Sequence, residues 1–339
     1  MTLPKTYKQA SFKAKGEALV LEDVDLVLPA KGEVLIKVEA CGVCHSDVLA
    51  QYDGYGAGFP RVPGHEVIGK VAAVGDEVSE WKVGDRIGAG WHGGHDGSCH
   101  ACQNSWFQSC DAGIVNGVTK NGGYAEYVIA RANASVKIPT HVDAALFAPM
   151  LCAGVTVFQA LRNSGVKPGE TVAIQGLGGL GHLAIQFAKH MGYRVVAVSR
   201  GSEKEKSARE LGANEYIDAS KGDPGLALRK LGGAALALTT ALKSDAITPL
   251  IKGLNILGKL IIVSLPGDFT INTYEAIKYG ISVQVWPGGN NKDSERAVNF
   301  ADLHGVNTII ETFPLSQAQQ AYDHMLSGKA LHRAVITMG

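Results

Sequence analysis

The segment TVAIQGLGGLGHLAIQFAKHM, residues 171–191, decides how the second half of this chain folds. Residues 171–175 are rich in β-branched side chains and predict a buried strand. From Leu180 to Met191 apolar residues recur at helical spacing, so a helix begins directly after the glycines. Glycines between a strand and a helix N-terminus let the backbone approach a pyrophosphate closely. The pattern predicts dinucleotide binding at Gly176, Gly178, Gly179, Leu180 and Gly181; the alternative is a purely structural glycine turn.

The chain after this segment repeats the alternation of strand and helix. Arg194–Ser199 predicts a strand and Glu203–Leu211 the helix that follows it. Further apolar strands are predicted at Ala234–Leu238 and Leu260–Val263, with a helical stretch between them. This alternation is typical of an α/β protein with a doubly wound parallel sheet.

The first 150 residues follow a different pattern, which is β-rich. Short segments rich in valine and isoleucine, separated by Gly, Pro and Asp turns, predict strands at Glu33–Val38, Val67–Val74 and Tyr124–Ile129. After Trp286 the pattern becomes irregular and ends in a predicted helix and strand, Ser316–Ser327 and Arg333–Thr337.

The composition excludes several classes of partner. Lys plus Arg and Asp plus Glu both number 32, so no general charge attracts nucleic acid or an anionic membrane. The first 15 residues lack an apolar core, so no signal peptide is expected, and no apolar run approaches the roughly 20 residues that span a bilayer. The six cysteines lie near histidine and acidic residues, which favours thiolate metal ligands over disulfides. We therefore expect a cytoplasmic protein.

The end of the second predicted strand of the parallel sheet bears on the choice of dinucleotide. A carboxylate there would bond the ribose 2′-hydroxyl of NAD. This chain instead has Ser199 and Arg200, followed by Lys204, which are suited to a 2′-phosphate. The sequence thus favours NADP over NAD; the alternative is that Arg200 is a solvated loop residue and NAD binds without the carboxylate.

A second chemical motif lies in the β-rich half. Cys44-His45-Ser46-Asp47 is followed by Gly64-His65-Glu66. A catalytic zinc is typically held by three N or S ligands and keeps a fourth position open. Cys44 and His65 are candidates for two of these ligands, which predicts a third elsewhere in the chain.

Five motifs in order resemble the zinc-containing medium-chain alcohol dehydrogenases: Gly64-His65-Glu66, a cysteine-rich lobe, Cys152-Ala153-Gly154, the glycine loop and the segment from Gly328-Lys329 to Arg333. The resemblance implies a GroES-like catalytic domain over residues 1–153, a Rossmann cofactor domain over 154–286, and a return to the catalytic domain over 287–339. It also implies that Cys152 is the third catalytic zinc ligand. Asp47 would orient His65 through the second ring nitrogen, and Glu66 would assist ligand exchange beside the metal. For these carboxylates the alternative is a fold-stabilising salt bridge, and Cys41 is expected to be a packed thiol.

The cysteine-rich lobe departs from the family pattern. The family usually has four cysteines there, whereas this chain has Asp96, Cys99, Cys102 and Cys110. A carboxylate can complete a tetrahedral site with three thiolates, so a structural zinc is predicted. His92 and His95 are competing fourth ligands, and a lobe that has lost its metal is the alternative.

The same resemblance assigns the remaining site residues. Ser46 is expected to carry the proton from the reacting oxygen, and Leu49 replaces a histidine that often continues this path. His45 and Arg333 are expected to face the cofactor pyrophosphate, and Tyr55 and Trp91 to line the substrate pocket.

The predicted function is hydride transfer between a primary or secondary alcohol, or the corresponding aldehyde, and NAD(P). The alternatives are a double-bond reductase on the same fold and a catalytically silent binding protein. The segment between Cys110 and Cys152 is short, as in tetrameric microbial members, so a homo-oligomer is expected, with a tetramer favoured over a dimer.

Overall fold

The computed structural model describes residues 3–328, 330 and 332–339. Lys329, part of the terminal match to the family, lies outside the described residues. The chain forms two compact units, of which the first comprises residues 1–155, 289–303 and 307–339, and the second 156–288 and 304–306. These divisions lie two residues from the predicted boundaries at 153 and 286, and residues 304–306 join the second unit rather than the return segment.

The strands, in chain order, are β1 (Thr6–Phe12), β2 (Leu19–Asp25), β3 (Glu33–Val43), β4 (Val67–Val74), β5 (Arg86–Ala89), β6 (His92–Gly94), β7 (Ile114–Val115), β8 (Tyr127–Arg131), β9 (Val136–Lys137), β10 (Thr171–Gln175), β11 (Arg194–Ser199), β12 (Glu215–Asp218), β13 (Ala234–Thr239), β14 (Leu254–Ile262), β15 (Ser282–Val285), β16 (Ile310–Pro314) and β17 (Arg333–Thr337). The α-helices are α1 (Val48–Gln51), α2 (His100–Gln103), α3 (Ala144–Phe147), α4 (Ala153–Arg162), α5 (Gly181–His190), α6 (Glu205–Leu211), α7 (Pro224–Lys230), α8 (Ser244–Ile247), α9 (Thr273–Tyr279), α10 (Asn291–His304) and α11 (Ala318–Leu326).

The first unit is built on a seven-stranded sheet in the order β16-β17-β3-β4-β5-β9, with β8 also paired to β3. β3 is the organising strand, since it pairs antiparallel with β4, β8 and β17. Its inward side chains, among them Val34, Ile36 and Val38, belong to a buried apolar cluster. The pairing of β3 with β17 brings the end of the chain back to the first domain.

The second unit is a six-stranded sheet in the order β12-β11-β10-β13-β14-β15, in which every neighbouring pair is parallel. Strands buried on both faces read as continuous apolar runs, as β11 and β13 do. The order reverses at β10, and ligands of such sheets bind beyond the carboxyl ends of the strands at this point. The doubly wound α/β fold predicted from the sequence is therefore confirmed.

Three predicted strands differ from the observed ones by three residues or more. β3 continues five residues beyond the predicted end at Val38, because residues 40–43 pair with β17. β14 begins at Leu254, six residues before the predicted start, because Leu254 already pairs with Ala234 of β13. The register then shifts before Lys259, in the stretch where Leu257 adopts a φ of +57°. β8 begins at Tyr127 rather than Tyr124, because the Tyr124 backbone bonds to Pro63 outside the ladder.

Among the described residues, no single helix is both long and apolar enough to cross a membrane. One bent pair, Ala144–Leu151 with Ala153–Arg162, meets the length and composition criteria together, with a bend of 54°.

Candidate active site

The first unit brings the predicted catalytic ligands together from three separate segments. Cys44 follows β3 directly, His65 lies two residues before β4, and Cys152 lies just before α4. Together with Glu66, their ligand atoms all lie within 4.8 Å of one another. The Sγ atoms of Cys44 and Cys152 are 3.8 Å apart, and all six cysteines are free thiols.

The chemistry of this cluster fits a divalent cation. His65 is fully buried, and its Nε2 has no hydrogen-bond partner among the described residues. A buried, unpaired imidazole nitrogen costs free energy unless a ligand such as a metal ion occupies its lone pair. A hydrogen bond from the Cys152 thiol and the charge of the nearby His65 lower the pKa of Cys44 well below its usual range, which favours its thiolate form. Two sulfurs and one imidazole are a donor set typical of catalytic zinc.

Asp47 contacts the segments that carry Cys44 and His65. Its buried carboxylate accepts hydrogen bonds from the backbone amides of Cys44 at 2.9 Å and Gly64 at 3.2 Å. The hydroxyl of Tyr124 donates to the same carboxylate at 2.9 Å. The Nδ1 atom of His65 lies 3.1 Å from Asp47 Oδ1. This arrangement leaves Nε2 as the nitrogen that faces the thiols.

Glu66 forms a buried ion pair with Arg333 beside the thiols. Burial raises the pKa of Glu66 to about 7, although the Arg333 charge opposes this shift. Arg333 is predicted to face the cofactor pyrophosphate, but the structure directs its guanidinium to Glu66. The pyrophosphate contacts of Arg333 and of His45, which is exposed, remain predictions.

The second predicted cluster also assembles. The ligand atoms of Asp96, Cys99, Cys102 and Cys110 lie within 4.8 Å of one another, and the sulfurs of Cys99 and Cys110 are 3.8 Å apart. Backbone amides of Cys99, at 2.9 Å, and of Ser98 donate to Asp96 and lower the pKa of its carboxyl group. The lobe therefore holds an ionised carboxylate against three sulfurs, which suits a tetrahedral zinc.

The two histidines proposed as competing ligands lie in a different arrangement. His92 and His95 stack on each other, with His92 Nε2 3.1 Å from His95 Nδ1, and His95 also stacks on Phe107. Neither belongs to the cluster of four. Burial, reinforced by the neighbouring His95, lowers the pKa of His92 to about 4, so its ring is neutral at physiological pH.

Of the residues predicted for the substrate pocket and the proton path, Trp91 contacts a predicted zinc ligand directly. Trp91 packs edge-on against His65, with ring centroids 4.9 Å apart, whereas Tyr55 is 56% exposed. Ser46 lies half-buried in the turn that follows Cys44. Leu49 lies over Gly54, where an added Cβ would approach Leu49 Cδ2 to 2.8 Å.

The glycine loop opens onto a cavity of about 650 Å³ within the second unit. Gly176 and Leu177 line one part of it, and Ser199, Arg200 and Lys204 line another. Two carboxylates, Asp223 and Asp245, also line it. Asp218, at the end of β12, accepts hydrogen bonds from the amides of Gly201 and Ser220, both at 2.9 Å. At the end of β11, where the ribose is expected, Ser199 and Arg200 supply a hydroxyl and a cationic group.

Sequence reasoning missed two residues of these sites. Lys243 adds a further cation to the cavity lining; it follows β13, and the convergence of parallel strand ends could have revealed it. Tyr124 reaches Asp47 across 77 residues of sequence, and no local pattern indicates that contact. Its burial, together with the Asp47 charge, raises the pKa of Tyr124 well above its usual range, so its hydroxyl remains a donor.

Comparison with known proteins identifies the family. Residues 30–140 match the family described as the alcohol dehydrogenase GroES-like domain, and residues 179–303 match the zinc-binding dehydrogenases. The chain is 62% identical, over 100% of both chains, to the alcohol dehydrogenase notN of Aspergillus sp. strain MF297-2. It belongs to the zinc-type medium-chain alcohol dehydrogenases.

Solved structures of this alcohol dehydrogenase family agree with the fold. CAD from Helicobacter pylori complexed with NADP(H) is 26% identical, covers 98% of both chains and has a TM-score of 0.87. Acetophenone reductase from Geotrichum candidum in complex with NAD is 25% identical, covers 99% of this chain and 98% of its own, and also has a TM-score of 0.87. The enzyme is an oxidoreductase that acts on small alcohols or aldehydes with zinc and a nicotinamide cofactor.

Proposed function

We propose that the enzyme is an NADP-preferring alcohol dehydrogenase and aldehyde reductase whose catalytic zinc is held by Cys44, His65 and Cys152. The observation that carries the proposal is the convergence of these ligand atoms within 4.8 Å around a buried His65 Nε2 that has no partner among the described residues. Its relatives are alcohol dehydrogenases, which favours this reading over a double-bond reductase or a silent scaffold.

The residues around the metal have separate tasks in this proposal. Bound zinc supplies a Lewis acid that lowers the pKa of an alcohol and polarises a carbonyl. Asp47 orients His65, and Trp91 packs against the ring and shields it from water on one side. Ser46 takes the first proton from the substrate hydroxyl, and Glu66 stands beside the thiols as an alternative ligand during exchange.

Zinc analysis of two cysteine variants tests the metal assignment. Cys152→Ser is expected to lower the zinc content from two to one per subunit and to abolish turnover, because it removes one donor of the catalytic set. Cys41→Ser is the matched control: Cys41 is a buried thiol close in sequence to Cys44 but outside the cluster. A Cys152→Ser variant that retains two zinc ions would overturn the assignment.

The preference for NADP is supported by the charge of the second-unit cavity. Arg200, Lys204 and Lys243 line it together with two carboxylates, Asp223 and Asp245. Asp223 is engaged by Lys252 at 2.9 Å and by the first amides of α7. The cations outnumber the carboxylates in this lining, and Arg200 follows Ser199 directly, which favours a 2′-phosphate there. The 2′-hydroxyl of NAD would lack the carboxylate that usually binds it.

Steady-state kinetics with both cofactors, over a panel of alcohols and aldehydes, test the preference. Arg200→Ala is expected to lower kcat/KM for NADP by about 10- to 100-fold, since a hydrogen bond to a charged group contributes about 1.5–3 kcal/mol. The value for NAD should change little. Lys206→Ala, an exposed cation of α6 outside the cavity lining, is the control. The preference is wrong if NAD gives the higher kcat/KM in the wild type.

We further infer that the enzyme is a homo-oligomer, with a tetramer favoured over a dimer. β15 ends the six-stranded sheet and pairs only with β14 among the described strands. Exposed apolar side chains lie on and near this edge, including Val285, Tyr274 and Ile277. An open edge flanked by apolar surface is typical of an interface. The tetramer itself rests on the short segment between Cys110 and Cys152.

We also propose a cytoplasmic location. The free thiols of both clusters favour a reducing compartment, since an oxidant would pair sulfurs that lie 3.8 Å apart. Cell fractionation with an antibody against the enzyme tests this: recovery in an organelle or the medium would contradict it.

A further inference from the structure

The Asp47 carboxylate is held by donors from three segments of the first unit. Oδ2 accepts from the Cys44 amide and from the Tyr124 hydroxyl, both at 2.9 Å. Oδ1 accepts from the Gly64 amide at 3.2 Å and lies 3.1 Å from Nδ1 of His65. One carboxylate therefore connects the loop that carries Cys44 to the ring of His65.

The side chains of His65 and Tyr124 both face this carboxylate. His65 Nδ1 lies 3.1 Å from Oδ1, so the carboxylate restrains the ring. Two of the other three donors are backbone amides, one at Cys44 itself and one adjacent to His65. The Tyr124 hydroxyl is thus a side-chain donor to Asp47 that comes from a residue far in sequence from the zinc ligands.

The position of Tyr124 is itself closely specified. The amides of Tyr124 and Gly123 donate to the carbonyls of Pro63 at 3.0 Å and Gly64 at 2.9 Å. Gly64 has a φ of +102°, and a Cβ there would lie 2.6 Å from Cδ1 of the Tyr124 ring. The glycine before His65 therefore leaves the space that the Tyr124 ring fills.

We propose that Tyr124 is a positioning residue for the catalytic zinc: its hydroxyl orients the Asp47 carboxylate, which in turn holds the His65 ring and the Cys44 loop in the geometry that the metal requires. The inference rests on the zinc assignment made under the proposed function. Mutation of a residue that hydrogen-bonds directly to a metal ligand typically weakens metal affinity by about 10- to 100-fold.

Tyr124→Phe tests the proposal, with Tyr322→Phe as the matched control. Both tyrosines are fully buried in the same apolar cluster, and Tyr322 donates to Gln51 Oε1 at 2.9 Å, so each variant removes one buried hydroxyl. Release of the catalytic zinc to a chelating dye should be about tenfold faster in Tyr124→Phe, at the lower end of the effect of a direct partner. Release from the Asp96 lobe should not change. The Co²⁺-substituted enzyme should show a shifted visible spectrum.

The melting temperature of the zinc-free protein separates positioning from general destabilisation. Both variants are expected to lower it by similar amounts, while only Tyr124→Phe alters zinc release and the Co²⁺ spectrum. Unchanged release and spectrum in Tyr124→Phe, or an equal change in Tyr322→Phe, would overturn the proposal. If Cys152→Ser removes no zinc from the otherwise wild-type enzyme, the zinc assignment fails as well, and the two failures are thereby distinguished.

Discussion

The proton path proposed to start at Ser46 would stop at Leu49, because an alkyl side chain neither donates nor accepts a proton. Leu49→His is expected to add an ionisation near the ordinary histidine pKa of about 6.5 to the pH dependence of kcat. Turnover should rise with pH through this value, since the neutral imidazole is the form that accepts a proton. The pH–rate profile from pH 5 to 9 measures this.

Leu49→Gln is the control for that prediction. Glutamine is polar and of similar length but does not titrate in this range, so its profile should match the wild type. A Leu49→His profile without a new inflection would show that position 49 takes no part in proton transfer.

Gly178, in the loop after β10, and Gly181, the first residue of α5, have separable roles. A Cβ on Gly181 would lie 1.7 Å from the Gly176 carbonyl oxygen, whereas a Cβ on Gly178 meets nothing within 4 Å. Gly181→Ala is therefore expected to lower the stability of the cofactor-free protein by about 1–3 kcal/mol. Gly178→Ala should leave that stability unchanged and weaken dinucleotide binding, because its methyl group would stand where the pyrophosphate approaches.

Thermal melting without cofactor and titration of the dinucleotide measure the two glycine effects. Equal losses of stability in both variants would contradict the separation, as would normal cofactor affinity in Gly178→Ala.

The cysteine-rich lobe around α2 gives a second prediction at this scale. Asp96→Asn is expected to weaken the structural zinc, because the amide keeps an acceptor for Ser98 and Cys99 but loses the negative charge. Asp96→Cys should retain the metal, since it restores a fourth thiolate. Zinc content after dialysis against a chelator measures both, and full retention in Asp96→Asn would favour a different fourth ligand.

The pH dependence of the same lobe follows from Asp96. Hydrogen bonds from the Cys99 and Ser98 amides lower the pKa of this carboxyl group in the folded protein. Its stabilising effect is therefore fully present above the unfolded-state pKa of about 3.9 and is lost as the pH falls through the lower folded-state value.

In the molecule as a whole, the open edge of the six-stranded sheet at β15 predicts self-association. The double substitution Tyr274→Lys and Val285→Lys places charge on an exposed apolar edge and is expected to shift the enzyme to a smaller species in sedimentation velocity. Leu303→Lys changes a comparably exposed apolar side chain on α10 and should leave the sedimentation coefficient unchanged. If the wild-type enzyme sediments as a monomer, the prediction of self-association is wrong.

Features that depend on neighbouring residues could be predicted from the sequence. Hydrophobic periodicity and the glycine loop identified β10 and α5, and the alternation beyond them identified the parallel sheet. The types and spacing of Cys44, His65 and Asp96 identified metal-binding chemistry, because thiolates, imidazoles and carboxylates are the groups that bind zinc. Positions of strand ends were less accurate where pairing with a distant strand extends the ladder, as at Leu254 and Val43.

The contacts between groups far apart in the sequence became known from the folded structure. It placed Asp96 rather than His92 with the three cysteines, turned Arg333 towards Glu66, and joined Tyr124 to Asp47. These contacts join residues up to 267 positions apart, and they follow from how sheets and loops pack, not from local propensity. A buried polar group must find a partner, and the folded chain, not the adjacent sequence, determines which partner is within reach.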